Sequence, residues 1–220
     1  FDAVGTLLFP DPPAPAAYAA VARRAGLELA PAEVRTRFVE AFRREEEADR
    51  AAGWVTSEGR ERERWRAVVA AVLRGVPDPD ACFAELYDHF ARPAAWRVAP
   101  DAGEVIARLR ARGLVVGLGS NYDSRLGPVL DGFPELAPLR GRAVVSAAVG
   151  FRKPAGGFFR EVVRAAGCEP GEVLFVGDDV ENDYAGATAA GLRAVLVGDD
   201  AGADRRVGRL GELLLPPPDA

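Results

Sequence analysis

Four short apolar runs in the second half of the chain show no polar–apolar alternation: Leu114–Gly119, Ala143–Val149, Val173–Val176 and Arg193–Val197. A strand that buries one face alternates, whereas a strand buried on both faces does not. Helical segments separate these runs, at roughly Ser124–Leu130, Gly157–Ala166 and Asp183–Ala190. Strands alternating with helices make βαβ units. The expected fold class is therefore α/β, a Rossmann-like parallel sheet core with helices on both faces. A helix opens this region, with Asp101 as its cap, Glu104 completing a capping box, and Gly113 as its end. A last helix is expected at Arg205–Leu214, before a Pro-rich tail expected to fray.

The first half reads differently. After Asp2 come Gly5-Thr6-Leu7-Leu8 and a Pro-rich stretch from Pro10 to Pro15 that reads as a linker. Helical patterns then follow one another at Ala16–Ala25, Pro31–Arg50, Ser57–Arg74 and Pro79–Phe90, with Pro or Ser at the starts of the last three. No strand pattern interrupts them. The expected organisation is residues 1–14 with 92–220 as the α/β core, and 15–91 as an inserted all-helical domain.

Composition narrows the function. The net charge is −5 and no basic stripe is present, which argues against nucleic acid as a partner. No apolar run is long enough to span a bilayer. Cys82 and Cys168 lie in separate helical patterns and fit a reduced, cytoplasmic setting. There is no methionine and the chain opens at Phe1, so the natural start is expected upstream. Lys153 is the only lysine among 28 basic residues. It is either a leftover on a loop or a position that requires a compact point charge, which arginine cannot supply.

Ligands of parallel α/β sheets sit outside the carboxyl ends of the strands. There the sequence offers Asp2, then Ser120 and Asn121, then Lys153, then Asp178 and Asp179. A carboxylate can serve as covalent nucleophile. Carboxylates beside it can hold Mg²⁺ together with a substrate phosphate. A hydroxyl and an ammonium can neutralise the oxygens of a transferring phosphoryl group.

These residues resemble the haloacid dehalogenase-like superfamily in number, order and spacing. The segments are Asp2-Ala3-Val4-Gly5-Thr6-Leu7, Gly119-Ser120-Asn121, Phe151-Arg152-Lys153-Pro154, and Val176-Gly177-Asp178-Asp179-Val180-Glu181-Asn182-Asp183. The resemblance makes the helical insert the cap of subfamily I. It implies a hydrolase with Asp2 as nucleophile, Thr6 and Ser120 as phosphate ligands, and Lys153 as the charge-stabilising lysine. It further implies Mg²⁺ held by Asp2, the Val4 carbonyl and Asp178. Asp179 and Asp183 would support the metal site or orient Lys153. The implied substrate is a small phosphorylated metabolite.

One position departs from the pattern. Family phosphatases carry a second Asp two residues after the nucleophile as general acid and base, and here that residue is Val4. The gap leaves two alternatives to an aspartyl-phosphate phosphatase. One is a dehalogenase acting on a small 2-haloacid through Asp2, although Asp178 and Phe159 replace residues expected there. The other is a binding protein impaired in turnover. Plainer readings accompany several residues. Asp178 or Asp183 can cap the helix that follows, and Ser120 can be a turn residue. Asp199 and Asp200 read as solvated loop acids, and His89 as a packing residue. The run Arg60, Glu61, Arg62, Glu63, Arg64, Arg66 reads as a solvated helix face, and Trp54, Trp65 and Trp96 as anchors of the helical insert.

Overall fold

The computed structural model describes residues 1–215, and the Pro-rich tail lies outside the described residues. The chain runs β1 (Leu8–Pro10), α1 (Ala14–Arg24), α2 (Pro31–Ala51), α3 (Glu58–Val72), α4 (Pro79–His89) and β2 (Trp96–Val98). It continues with α5 (Ala102–Ala111), β3 (Leu118–Ser120), α6 (Leu126–Asp131), β4 (Ala143–Val145), α7 (Ser146–Val149), α8 (Gly156–Ala166) and β5 (Leu174–Gly177). A π-type turn (Val180–Ala185), α9 (Gly186–Ala189), β6 (Arg193–Val197) and β7 (Arg206–Val207) complete it.

β3 pairs in parallel with β4, β5 with β6, and β6 with β7. Residues 1 and 2 join the two sets. The Phe1 amine donates to the Gly117 carbonyl at 3.0 Å, the Gly119 amide donates to the Phe1 carbonyl, and the Asp2 amide donates to the Val176 carbonyl at 2.7 Å. The sheet therefore reads β4, β3, residues 1–2, β5, β6, β7 across. This puts Asp2 at the carboxyl end of the central position, with Ser120 and Asp178 on either side. The main apolar cluster packs Leu7, Leu8, Ile106, Leu118, Leu126, Leu136 and Val176 together, and a second holds Phe158, Phe159 and Phe175.

The helical insert has its own apolar cluster, built from Tyr18, Val21, Val34, Val68, Val72, Leu73, Phe83 and Leu86. Local chemistry sets its helix starts. Pro31 and Pro79 stand in first turns, where a missing N–H costs nothing. The Ser57 hydroxyl accepts from the Arg60 amide and the Asp78 carboxylate from the Ala81 amide. The insert leaves and rejoins the core through an antiparallel ladder in which Pro10 faces Trp96.

Several local expectations are corrected. The carboxylate of Asp101 accepts from the Gly211 amide at 2.7 Å and makes no capping bond. The expected helix at Arg205–Leu214 is instead β7 and a 3₁₀ turn at Leu210–Leu214, because Arg209 is extended between Gly208 and Gly211. The strand expected from Leu114 begins at Leu118, and Leu114 and Val115 are exposed. The run expected from Ala143 to Val149 is strand only to Val145, then helix. The Pro-rich linker is shorter than its prolines imply, since Pro10 ends β1 and α1 starts at Ala14.

The largest correction concerns α3. Glu61 and Arg64 are 1% exposed, not solvated. The loop preceding α3 docks against the loop preceding Lys153: the Thr56 amide donates to the Gly150 carbonyl, and the Arg152 amide to the Trp54 carbonyl. This contact closes water off from the adjacent turn of α3. The buried charges then pair with one another. Arg152 bonds Glu61, Arg64 bonds Asp49, and the Thr56 hydroxyl donates to Glu61 at 2.8 Å. Buried charges persist where such partners exist.

Candidate active site

The first turn after the central strand position brings the acids together. Past Asp2 the chain folds back, with the Leu7 and Leu8 amides donating to the Ala3 carbonyl. Gly5 has φ +102°, and a Cβ there would lie 2.3 Å from an Asp178 oxygen. Only glycine permits both that conformation and that approach. The Thr6 hydroxyl, beside it, donates to Asp178 Oδ1 at 2.8 Å. The Thr6 hydroxyl is thus engaged by the acid in this structure.

Lys153 Nζ donates to Asp2 Oδ1 at 2.5 Å and to Asp183 Oδ1 at 2.6 Å, with all three residues buried. The Asp179 amide donates to the other Asp183 oxygen at 3.1 Å. Gly177 makes room for this, since a Cβ there would meet Asp183 at 2.2 Å. Asn121 clamps the backbone of Lys153: its Oδ1 accepts from the Lys153 amide at 2.7 Å, and its Nδ2 donates to the Lys153 carbonyl at 3.1 Å. Ser120 is 2% exposed and lines the same cavity. Asp179 is exposed and accepts from the Glu181 and Asn182 amides, so it organises the turn.

Asp2, Asp178 and Asp183 each present an oxygen within 4.8 Å of the other two. Three carboxylates, those of Asp2 and Asp183 buried and that of Asp178 exposed, share one ammonium. The titration of the group reflects that excess of acids. Burial raises the Asp2 pKa to about 7, Lys153 pulls it down, and Asp183 and Asp178 push it up. Burial opposes the Lys153 charge, yet Asp183 and Asp2 outweigh it and hold its pKa above the ordinary value. Partial burial raises Asp178, its Thr6 hydrogen bond lowers it, and Asp183 raises it again. A divalent cation held by oxygen ligands suits this donor set. The Val4 carbonyl accepts no backbone hydrogen bond among the described residues.

The site opens into a cavity of about 360 Å³ between the sheet and the helical insert. Its floor includes Asp2, Ser120, Lys153 and Asp178, and Val4 lines it at 36% exposure. The walls are largely aromatic. Trp65 and Trp96 line it as well as anchoring packing, whereas Trp54 lies at the junction of the two loops. Sequence reasoning missed Phe38 and Phe42, whose spacing by one helical turn put both on one face of α2. His89 packs edge-on to Phe90 at 4.8 Å, outside the cavity.

Residues 1–191 match the family described as haloacid dehalogenase-like hydrolase. The chain belongs to this family. It is 34% identical over 203 residues to human (Homo sapiens) haloacid dehalogenase-like hydrolase domain-containing protein 3, covering 90% of this chain and 80% of that one. It is 32% identical over 148 residues to phosphoserine phosphatase of Thermus thermophilus, covering 64% and 59%. In fold it resembles L-2-haloacid dehalogenase of Xanthobacter autotrophicus, with a TM-score of 0.72 over 97% of this chain and 94% of that one at 18% identity. A protein named as a phosphatase thus resembles it in sequence and one named as a dehalogenase in fold. The family membership makes the chain a hydrolase on a Rossmann-like α/β core with a helical cap.

Proposed function

We propose that this hydrolase is a Mg²⁺-dependent phosphatase acting on a small phosphorylated metabolite through an aspartyl-phosphate at Asp2. The observation that carries the reading is the convergence of three carboxylates on the single ammonium of Lys153. Two acids without a divalent cation repel any anionic substrate, whereas Mg²⁺ neutralises them and attracts phosphate. We assign Asp2, Asp178 and the Val4 carbonyl as the residues that would hold Mg²⁺. When bound, the ion draws charge from the phosphoryl oxygens.

The remaining steps belong to the chain. An Asp2 oxygen attacks phosphorus, the phosphorus–oxygen ester bond breaks, and the substrate alcohol leaves. Val4 offers no proton, so the leaving oxygen takes one from water. Water then attacks the acyl phosphate, releasing inorganic phosphate and restoring Asp2. Lys153 holds the Asp2 carboxylate in place and offsets its charge, with Asp183 fixing the ammonium from the far side. Ser120 faces the phosphoryl oxygens. Asn121 is assigned to holding the Lys153 loop as well as to substrate, and Thr6 to orienting Asp178. The functional units are residues 1–14 with 92–220 as core and 15–91 as cap, in keeping with separate apolar clusters. The site takes no nucleic acid. No helix among the described residues is long and apolar enough to cross a membrane. The two unpaired cysteines, one buried and one exposed, suit the reducing cytoplasm.

The test is Asp2→Asn, assayed on an aryl phosphate with and without Mg²⁺. Loss of turnover by at least about 10³-fold is expected, on the scale of nucleophile removal in other hydrolases. Unchanged Mg²⁺-dependent activity in pure Asp2→Asn protein rules the nucleophile out. Val4 favours a second reading, 2-haloacid dehalogenation through an ester on Asp2. Halide release without metal, and no phosphate release with it, is the outcome that selects it.

A further inference from the structure

The cavity above the acids carries information about the leaving half of the substrate. Its walls bring Tyr18 from α1, Phe38 and Phe42 from α2, Trp65 from α3 and Phe90 at the end of α4 against Tyr122 on the core side. The rings support one another. Phe38 stacks on Phe42 at 5.8 Å between centroids, and Trp65 lies 6.4 Å from Phe38 and 6.3 Å from Phe42. Tyr18 meets Phe38 edge-on at 5.6 Å. Aromatic walls of this kind take rings in offset or edge-on contact.

The two arginines lining the chamber are each paired, while Glu46 and the Tyr18 hydroxyl lie among the rings with at most one weak contact. Arg125 donates to Asp123 at 2.7 Å and 2.8 Å, and lies over the Tyr87 ring at 3.6 Å. Arg152 is paired with Glu61, which also receives the Thr56 hydroxyl. The Tyr122 hydroxyl and the Trp96 indole N–H both donate to the Phe90 carbonyl. A sugar or polyol would bury most of its hydroxyls against rings, with Glu46, Asn182 and the Tyr18 hydroxyl as the few groups able to receive them. A ring would displace only water from apolar surface. The volume of about 360 Å³ lies at the small end of ligand sites.

We infer that this chamber receives the apolar, ring-bearing body of a phosphate monoester and discriminates against sugar and polyol phosphates. The inference rests on the phosphatase reading for the identity of the phosphoryl end, and on the aromatic walls for the rest.

The experiment compares two primary alkyl esters, so that leaving-group reactivity is matched. The intact protein with Mg²⁺ is assayed on 3-phenylpropyl phosphate and on glycerol 1-phosphate. A kcat/KM ratio of about 100 in favour of the phenyl ester is expected, equal to about 2.7 kcal/mol. Phe42→Ser should lower that ratio about tenfold, and Phe42→Leu should restore part of it. In parallel, 3-phenylpropylphosphonate and methylphosphonate are titrated calorimetrically, with the phenyl compound expected to bind about 100-fold tighter. Equal kcat/KM values, or preference for glycerol phosphate, overturn the chamber assignment and leave the phosphatase reading standing. Hydrolysis of neither ester counts against the phosphatase reading alone, and the titration then decides the chamber. Equal affinities of the two phosphonates overturn it.

Discussion

At the residue scale the site turns on two neighbours in the loop after Asp2, Gly5 and Val4. Gly5 sits at φ +102° with the Asp178 carboxylate in the space of a Cβ. Gly5→Ala adds backbone strain of about 1–3 kcal/mol and drives Asp178 away from Thr6. The expected result is a lower urea midpoint together with loss of any Mg²⁺-induced thermal shift. A variant that keeps the full shift shows that Asp178 is not a ligand. Val4 is the opposite case, a residue too inert for its place. It lines the cavity at 36% exposure, so Val4→Asp adds a carboxylate without sealing a charge from water. A positioned acid–base group contributes about 10²–10⁴-fold. Turnover of an alkyl phosphate should rise about 10²-fold in Val4→Asp, and that of an aryl phosphate less, because its leaving group needs less protonation. Steady-state kinetics on both esters checks this, and no rise on either means the limiting defect lies elsewhere. Asp2, Ser120 and Asp178 were legible as a set because each directly follows an apolar run at its carboxyl end, and Lys153 because it is the one lysine, in the loop after the run that the structure divides into β4 and α7. The bonds of Thr6 and Asn121 were not, since their partners lie 172 and 32 residues away and only the fold brings them together.

At the element scale, the four helices of the insert were legible because turn and cap chemistry is local. Pro31, Ser57 and Pro79 mark starts that a reader of the chain can see. The β1–β2 ladder was not legible, being three residues long on each side and closed by a proline. Nor was the burial of α3, because a charged helix face looks solvated until its partner loop is known. That burial has a measurable consequence. Glu61 is shared by Arg152 and Thr56, with Arg64 and Asp49 alongside. Removing one member of a buried ion pair leaves the other uncompensated, at about 3–5 kcal/mol. Glu61→Gln should therefore lower stability by an amount in that range in urea unfolding. The double variant Glu61→Gln with Arg152→Met should recover part of the loss, because the stranded charge is gone as well. Additive losses in the double variant would show that the two side chains do not form a unit.

At the scale of the whole molecule, the acids converge from positions 2, 178 and 183, so the proposed Mg²⁺ site, drawn from the first two, would exist only in the folded core. An ion that binds the native state and not the unfolded chain stabilises it by about 2.7 kcal/mol at one hundred times its dissociation constant. For a chain of this size each kcal/mol raises the midpoint by about 2–4 °C. Saturating Mg²⁺ should thus raise the melting temperature by about 5–10 °C, and a chelator should reverse the rise. The ligands come from core segments only, and the cap gives none of the three carboxylates. The shift should accordingly vanish in Asp178→Asn and survive in the cap variant Phe42→Ser, read by scanning calorimetry at fixed protein concentration. The contrast separates charge relief in the core from any general effect of salt, which would move all three proteins alike. A shift of equal size in Asp178→Asn would mean that magnesium acts elsewhere on the molecule, and the cluster around Lys153 would then need another counter-charge.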